Sequence, residues 1–248
     1  MKPTDRRNQI VAAIRGGGEI SVDMLARRFA VSLETIRRDL ARLADQGLVD
    51  KVHGGARPPR LAVEGSLAER MGENAEAKRV IAQKVAGLVG PGETIFIDTG
   101  STTLACAEAL AAREDLTVIT NSFGVARALG EGSRVFMLGG EYSAGNAQTV
   151  GPLAMRQIAA FRADRAVITV SAIDGDAGVM DASLEEASVA RAMIDCARQL
   201  VVVADSSKFG RSAGFSVCDL AEIDVIVSDR APPAPLAEAM AAAEVELV

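Results

Sequence analysis

Two groups of residues in this sequence have the types and spacing for chemistry. The first is the run 32–46, where Glu34, Arg38 and Arg42 stand opposite a stripe of Leu33, Ile36, Leu40 and Leu43, with Thr35 and Arg37 flanking them. Guanidinium groups and a hydroxyl in the first turns of a helix suit base edges and phosphates in a DNA major groove. The second group is a series of short polar segments, each behind an apolar, β-branched run. They are Asp98-Thr99-Gly100-Ser101-Thr102-Thr103, Thr120-Asn121-Ser122, Gly139-Gly140, Ser171 with Asp174, Asp205-Ser206-Ser207-Lys208, and Asp229. Hydroxyls, closely turning glycines, carboxylates and one lysine are the groups that hold a phosphorylated small molecule or move protons on one.

The first group needs a helix with a packed back. Its apolar residues recur at steps of three and four, and Ser32 is a good N-cap. Upstream, a helix over about 4–15 is stopped by Gly16-Gly17-Gly18, and a second, capped by Ser21, carries Val22, Leu25, Ala26 and Phe29 on one face. Only Ala30-Val31 then precedes Ser32, which is helix-turn-helix spacing. Residues 48–53, ahead of Gly54-Gly55, read as a small strand or hairpin, a wing that sets Lys51 and His53 beside the reading helix. Thr35, Arg37 and Arg38 are the expected base-reading and phosphate-positioning group, and Ser32, Glu34, Arg42, Lys51 and His53 complete the DNA-facing set. His53, the single histidine, is either a hydrogen-bonded packing residue or a wing contact to phosphate. Asp39 falls at the packed edge, where its expected role is to orient an arginine of the same helix or of Arg27-Arg28. Taken alone, the run 32–46 also fits an ordinary solvated helix with arginine ion pairs.

The second group needs a sheet that brings distant segments to one edge. Strands are expected at 94–98, 116–120, 134–138, 166–170, 200–204 and 225–227, alternating with helical stretches that include 76–88 and 185–198. This alternation predicts an α/β domain with a largely parallel sheet. In such a sheet the strand ends share a rim, and ligands bind there. The candidates along it are Asp98, Gly100, Ser101, Thr102, Thr103, Thr120, Asn121, Gly139, Gly140, Asp174, Glu186, Asp205 and Lys208. The loop 99–103 suits a phosphate at a helix N-terminus, although its hydroxyls would equally cap that helix. Lys208 could complement a phosphate or pair with a carboxylate, and Glu186 could simply oppose the dipole of its own helix.

Composition sets the bounds. The 248 residues, 49% apolar and 24% charged, are those of a globular protein with an aliphatic core. No apolar run is long enough to cross a bilayer and no signal-peptide pattern opens the chain, so no membrane partner and a cytoplasmic location are expected. Cys106, Cys196 and Cys218 lie far apart, which predicts neither a disulfide framework nor a metal site, and no cofactor is called for. The formal charge of −6 divides unevenly: 12 Lys+Arg against 7 Asp+Glu over 1–60 make a basic head, and the rest is acidic. This suits a head that approaches a polyanion. The expected organisation is a winged helix-turn-helix over 1–57, a connector over 58–75 marked by Pro58-Pro59, and an α/β domain over 76–248.

The run Val31-Ser32-x-x-Thr35-Ile36-Arg37-Arg38-Asp39-Leu40-x-x-Leu43, closed by His53-Gly54-Gly55-Ala56, resembles the N-terminal domain of the DeoR-type bacterial transcriptional regulators. Asp98-x-Gly100-Ser101-Thr102-Thr103, Thr120-Asn121, Gly139-Gly140, Ile173-Asp174, Glu186-Ala187 with Arg191, and Asp205-x-Ser207-Lys208-Phe209-Gly210 follow that family's effector domain. The resemblance implies a fold related to ribose-5-phosphate isomerase, double-stranded operator DNA as partner, and a small phosphorylated metabolite as the effector that releases a repressor. Gln157-x-x-x-Phe161-Arg162-x-Asp164 and Asp229-x-Ala231-Pro232-Pro233 point, within the family, to glycerol 3-phosphate, with another sugar phosphate as the alternative. The family often has a lysine directly before Arg191, where this chain has Ala190. One reading helix makes too few base contacts for a selective site, so a homodimer or homotetramer is expected. A rival reading takes Asp98, Asp174, Glu186 and Lys208 as the acid, base and electrostatic groups of a sugar-phosphate isomerase, but the Lys-Gly-Gly segment typical of that enzyme is absent.

Overall fold

The apolar stripe of 32–46 closes a small core of three helices. Among its described residues this head contains α1 (Pro3–Gly17), β1 (Ile20–Ser21), α2 (Val22–Phe29), α3 (Leu33–Asp45), β2 (Asp50–Val52) and β3 (Gly55–Arg57). The structure is a computed structural model that describes residues 3–45, 49–57, 64–130 and 132–248, and it divides into two units, 1–63 and 64–248. Ile10 and Ile14 of α1, Leu25 of α2 and Ile36, Leu40 and Leu43 of α3 are buried together. The Ser21 hydroxyl accepts the Met24 N–H at 3.2 Å and starts α2, while Ala30, left-handed at φ 51°, ends it with its N–H on the Ala26 and Arg27 carbonyls. Only 30–32 separate α2 from α3. Two expectations change here. Leu33, at the edge of the stripe and in the first turn, is 40% exposed rather than packed. Residues 55–57, expected to close the head behind the wing without strand structure, form β3, the middle strand of an antiparallel sheet in the order β1-β3-β2. Glycine at 55 permits this, since a Cβ there would stand 2.5 Å from the Ile20 carbonyl oxygen. The part of the expected wing at 48, and 46–47 at the end of the reading run, lie outside the described residues.

The second unit comprises α4 (Leu67–Gly72), α5 (Ala75–Leu88), β4 (Thr94–Ile97), α6 (Ser101–Leu110), β5 (Thr117–Thr120), α7 (Phe123–Leu129), β6 (Arg134–Met137), β7 (Glu141–Ser143), β8 (Gln148–Val150), α8 (Pro152–Ile158), β9 (Ala163–Thr169), β10 (Ala172–Asp174), β11 (Gly178–Asp181), α9 (Leu184–Ile194), β12 (Ala197–Val203), β13 (Phe215–Cys218), β14 (Val225–Val227), α10 (Ala234–Ala242) and β15 (Glu246–Leu247). Seven parallel strands form the main sheet, in the order β15-β14-β12-β9-β4-β5-β6. Its inner strands β14, β12, β9, β4 and β5 carry mostly apolar runs because both faces are covered there. Ile95, Ile97, Val118, Val167 and Val201 pack against α5, α6 and α7, and Phe96, Ile119, Ala166, Ile168 and Val202 against α8, α9 and α10.

All six expected strands are present. The helix read over 185–198 ends at Ile194, and Ala197 and Arg198 already belong to β12. The connector read over 58–75 also divides: 58–63 lie outside the described residues, and from Glu64 the chain is part of the second unit and forms α4. From β4 the chain runs outward through β5 to β6, then returns to lay β9 on the other side of β4. The β4–β9 junction is thus a topological switch point, where an open parallel sheet forms a crevice at its strand ends.

Candidate functional sites

In the head, α3 begins where the Ser32 hydroxyl accepts the Thr35 N–H at 3.2 Å and meets the Thr35 hydroxyl at 2.9 Å. The two hydroxyls therefore serve the N-cap as well as the exposed end of the helix. Glu34, Arg37, Arg38 and Arg42 are exposed, as are Lys51 and His53 on the β2–β3 hairpin, so solvent-facing cations follow one helix and its wing. Asp39 is buried, as its place at the packed edge predicts, but its partner differs from the expected ones. Its carboxylate accepts Arg6 Nε of α1 at 2.7 Å, and Arg7 lies 4.0 Å away. The pair ties the back of the reading helix to the first helix, which leaves the arginines of α3 free to face outward.

In the second unit, the strand ends of the switch point hold a connected polar cluster. Asp98, just past β4, accepts the Thr169 N–H of β9 at 3.0 Å, whereas its other oxygen, Oδ1, has no hydrogen-bond partner among the described residues. The neighbouring Thr103 hydroxyl is committed to the Gly100 carbonyl at 3.2 Å. Gly100 is needed here for close approach, since a Cβ would lie 2.2 Å from the Thr169 methyl group. The Thr99 hydroxyl and the Asn121 amide oxygen meet at 3.3 Å, and Asn121 donates to Gln148 Oε1 and to the Thr149 carbonyl, both at 3.0 Å. Gln148 in turn donates to Glu186 at 2.7 Å, and Asn146 donates to the same carboxylate oxygen. Asp98, Thr99, Asn121, Gln148, Asp181, Glu186, Val189 and Ala190 line a small recess.

Three carboxyls in and around this recess are shifted the same way. Burial pushes Asp98 well above the ordinary range, and Asp181 and Glu186 add to the effect. Burial, then repulsion from Asp181, pushes Glu186 up to about 7. Burial raises Asp181 as well, against the Ser183 N–H. The recess thus carries less negative charge than three free carboxylates would, and it offers both donors and acceptors to a polyhydroxy ligand.

A cationic patch adjoins the recess through one side chain. Arg70 of α4 donates to Asn146 Oδ1 at 2.8 Å and pairs with Glu64 at 2.7 Å, and Glu64 also pairs with Lys208 at 2.6 Å. Burial works against the Glu64 charge, but Lys208 and Arg70 outweigh it and hold the carboxyl below its ordinary value. Lys78 of α5 is buried and donates to the Arg70 carbonyl and, at 2.6 Å, to the Glu73 carbonyl, closing the end of α4. Burial lowers its pKa, with Asp205 acting in the opposite sense. Asp205 accepts Asn74 at 3.0 Å and the Ser207 N–H at 3.0 Å, so its carboxylate sets the short turn that presents Lys208.

The other rim candidates serve the frame. Thr120 is buried and its hydroxyl accepts the Ser122 N–H at 3.0 Å. Ser101, Thr102 and Thr103 form the buried first turn of α6. Gly139 donates its N–H to Gln157 at 3.0 Å, and Gly140 lets β8 approach, a Cβ there falling 2.5 Å from the Val150 carbonyl oxygen. The Asp174 carboxylate is turned into its own hairpin, accepting the Asp176 and Ala177 N–H groups at 3.0 and 3.1 Å. Glu64, Arg70, Lys78, Asn146, Gln148 and Asp181 are the members that the sequence pattern did not flag. Asp181 had a faint signal, lying at the end of the short apolar strand β11; Gln148, which opens the mixed strand β8, had none, and neither had Glu64 and Arg70, on a stretch read as connector. Ala190 is buried in the recess wall beside Glu186, while Arg191 faces Asp195 and Glu222.

Residues 6–60 match the DeoR-like helix-turn-helix domain and residues 73–230 the DeoR C terminal sensor domain. The chain belongs to the DeoR family. This DeoR-family transcriptional repressor is 34% identical over its full length to the glycerol-3-phosphate regulon repressor of Escherichia coli K12, covering 99% of that protein. It is 34% identical to the protein of that name from Haemophilus influenzae, over 94% of this chain and 91% of that one, and 37% identical to the transcriptional repressor AccR of Agrobacterium fabrum, over 91% and 89%. Among solved structures it is similar to ribose 5-phosphate isomerase A of Methanocaldococcus jannaschii, at 17% identity over 55% of each chain and a TM-score of 0.42. It is also similar to eIF2B beta of Chaetomium thermophilum, at 14% identity over 85% of this chain and 59% of that one, with a TM-score of 0.48. Among the described residues no helix is long and apolar enough to cross a membrane.

Proposed function

We propose that this repressor leaves its operator when the rim of the second unit binds a small phosphorylated polyol or sugar, with glycerol 3-phosphate as the first candidate. The observation that carries the reading is the pairing of two chemistries at one switch point. The recess offers the unpartnered Asp98 Oδ1, raised carboxyls and amides for hydroxyl groups, and the adjoining patch offers Arg70 and Lys208 for a phosphate. Relatives named for the glycerol-3-phosphate regulon favour that ester over larger sugar phosphates.

On the DNA side, Thr35, Arg37 and Arg38 read bases and position phosphates, while Ser32, Glu34, Arg42, Lys51 and His53 surround them. The working species is a homodimer or homotetramer on repeated half-sites, with residues 1–57 on DNA and the second unit sensing and assembling. An effector releases DNA only as far as it favours the DNA-incompetent state, so release must track differential affinity. Gel-shift titrations with glycerol 3-phosphate, fructose 1-phosphate and other sugar phosphates, on DNA from upstream of the gene, test this. Release by one or a few esters at low concentration is the expected result. Operator binding that no phosphate ester perturbs would end the effector reading.

A further inference from the structure

The cationic patch is already filled by an anion of the chain itself. The Glu64 carboxylate lies 2.7 Å from Arg70 and 2.6 Å from Lys208, and all three side chains are at most 16% exposed. A carboxylate held between a guanidinium and an ammonium has the charge and the oxygen placement that a phosphate ester would bring to the same pair. Glu64 is also the first residue of the second unit, directly after the stretch that leads back to the head. The residues behind it are held by the same arginine: Arg70 Nε donates to the Gly65 carbonyl at 3.1 Å, and Ser66 and Glu69 form the capping box that starts α4.

We infer that the Lys208–Arg70 pair is the phosphate subsite of this rim and that Glu64 is its resident internal competitor, displaced when a phosphate monoester binds. The inference rests on the effector reading above and deepens it. Displacement is favoured because a phosphate monoester brings nearly two charges and three terminal oxygens against one charge and two oxygens. It is opposed because Glu64 is tethered, at an effective concentration on the order of millimolar. Glu64 therefore sets the effector concentration at which the subsite exchanges anions. The exchange frees the start of the second unit from Arg70 and Lys208, which gives ligand binding a route along the chain toward the head without any strand of the sheet having to move.

Glu64→Gln in the full chain removes the competing charge and nearly keeps the shape. Isothermal titration should find inorganic phosphate and glycerol 3-phosphate bound about tenfold or more tighter by E64Q than by the wild type, with uncharged glycerol unaffected. Lys208→Gln should weaken both anions. Should the wild type bind glycerol 3-phosphate and E64Q bind it no tighter, Glu64 is a structural ion pair and the inference fails while the effector reading stands. Should neither bind any phosphate ester, both fall. Hydrogen exchange on the wild type keeps the test open if E64Q folds poorly. Saturating glycerol 3-phosphate should speed exchange of the amides from Gly65 to Arg70, and unchanged or slower exchange there would overturn displacement.

Discussion

The two units use charge in opposite directions. Among the described residues of the head, Asp39 is buried against Arg6 of α1, and the arginines of α3 face solvent from a helix whose back is fixed. In the second unit the charges around the switch point face inward: Asp98 and Lys78 are buried, and Asp181, Glu186, Glu64, Arg70 and Lys208 lie around them. A surface for a polyanion keeps its charges hydrated until the partner arrives, and salt screens them until then. A pocket for a small molecule must desolvate its charges in advance and keep them balanced, which requires shifted carboxyls and internal partners. Altering an exposed arginine of α3 therefore costs the fold little, whereas removing one partner of a buried ion pair, at Asp39 in the head or at Glu64 in the second unit, has a large effect.

The sharpest way to break the contrast is Asp39→Ala. Removing one partner of a buried pair leaves Arg6 desolvated and unpaired, at a cost of roughly 3 to 5 kcal/mol, so operator binding should be lost together with helical signal at moderate temperature. Ligand-induced thermal stabilisation of the second unit should persist. Near-normal operator affinity in this variant would mean that the pair does not hold α3. Arg38→Ala has a smaller expected effect and a different signature. It should weaken operator binding by about 1 to 3 kcal/mol and relax base preference with no change in melting, since the residue is exposed. An unchanged binding isotherm would remove Arg38 from the reading group.

The smallest expected effect is a dependence on pH. Glu186 is pushed from 4.5 up to about 7 in the folded chain, so folding takes up a proton between those values. The stability this contributes is full below about 4.5 and is lost as pH rises through 7. Glu186→Gln, which cannot ionise, should accordingly gain on the order of 1 to 2 kcal/mol over the wild type at pH 8, and the gap should close toward pH 4.5. Melting curves of both proteins at the two pH values measure it. A gap that is the same at each pH would show that Glu186 ionises normally and that the recess is less desolvated than its burial implies.

Much of the rim could be read as a set and little of it as a network. Asp98, Asn121, Asp205 and Lys208 each follow a β-branched run, and parallel topology alone carries them to one edge. Asp174 follows such a run too, yet its carboxylate closes a hairpin, because a short β10–β11 turn needs an acceptor for two N–H groups. The same pattern thus marks a recess-lining carboxylate, Asp98, and turn-capping ones without telling them apart. Glu64 and Arg70 were invisible for the opposite reason: Glu64 precedes α4, the six residues of α4 carry too short a period to stand out, and their partners lie at Asn146 and Lys208.

By itself, the sequence determined the helix-turn-helix, the outward arginines of α3, six of the seven strands of the main sheet and their polar ends. These follow from local periodicity, capping and steric rules that act within a few residues. Only the tertiary structure decided that Asp39 answers Arg6, that Gly100 packs on Thr169, and that Glu64 stands between Lys208 and Arg70. Such pairings depend on where the β4–β9 junction and its flanking helices bring remote segments, and on which charges remain after water has been excluded.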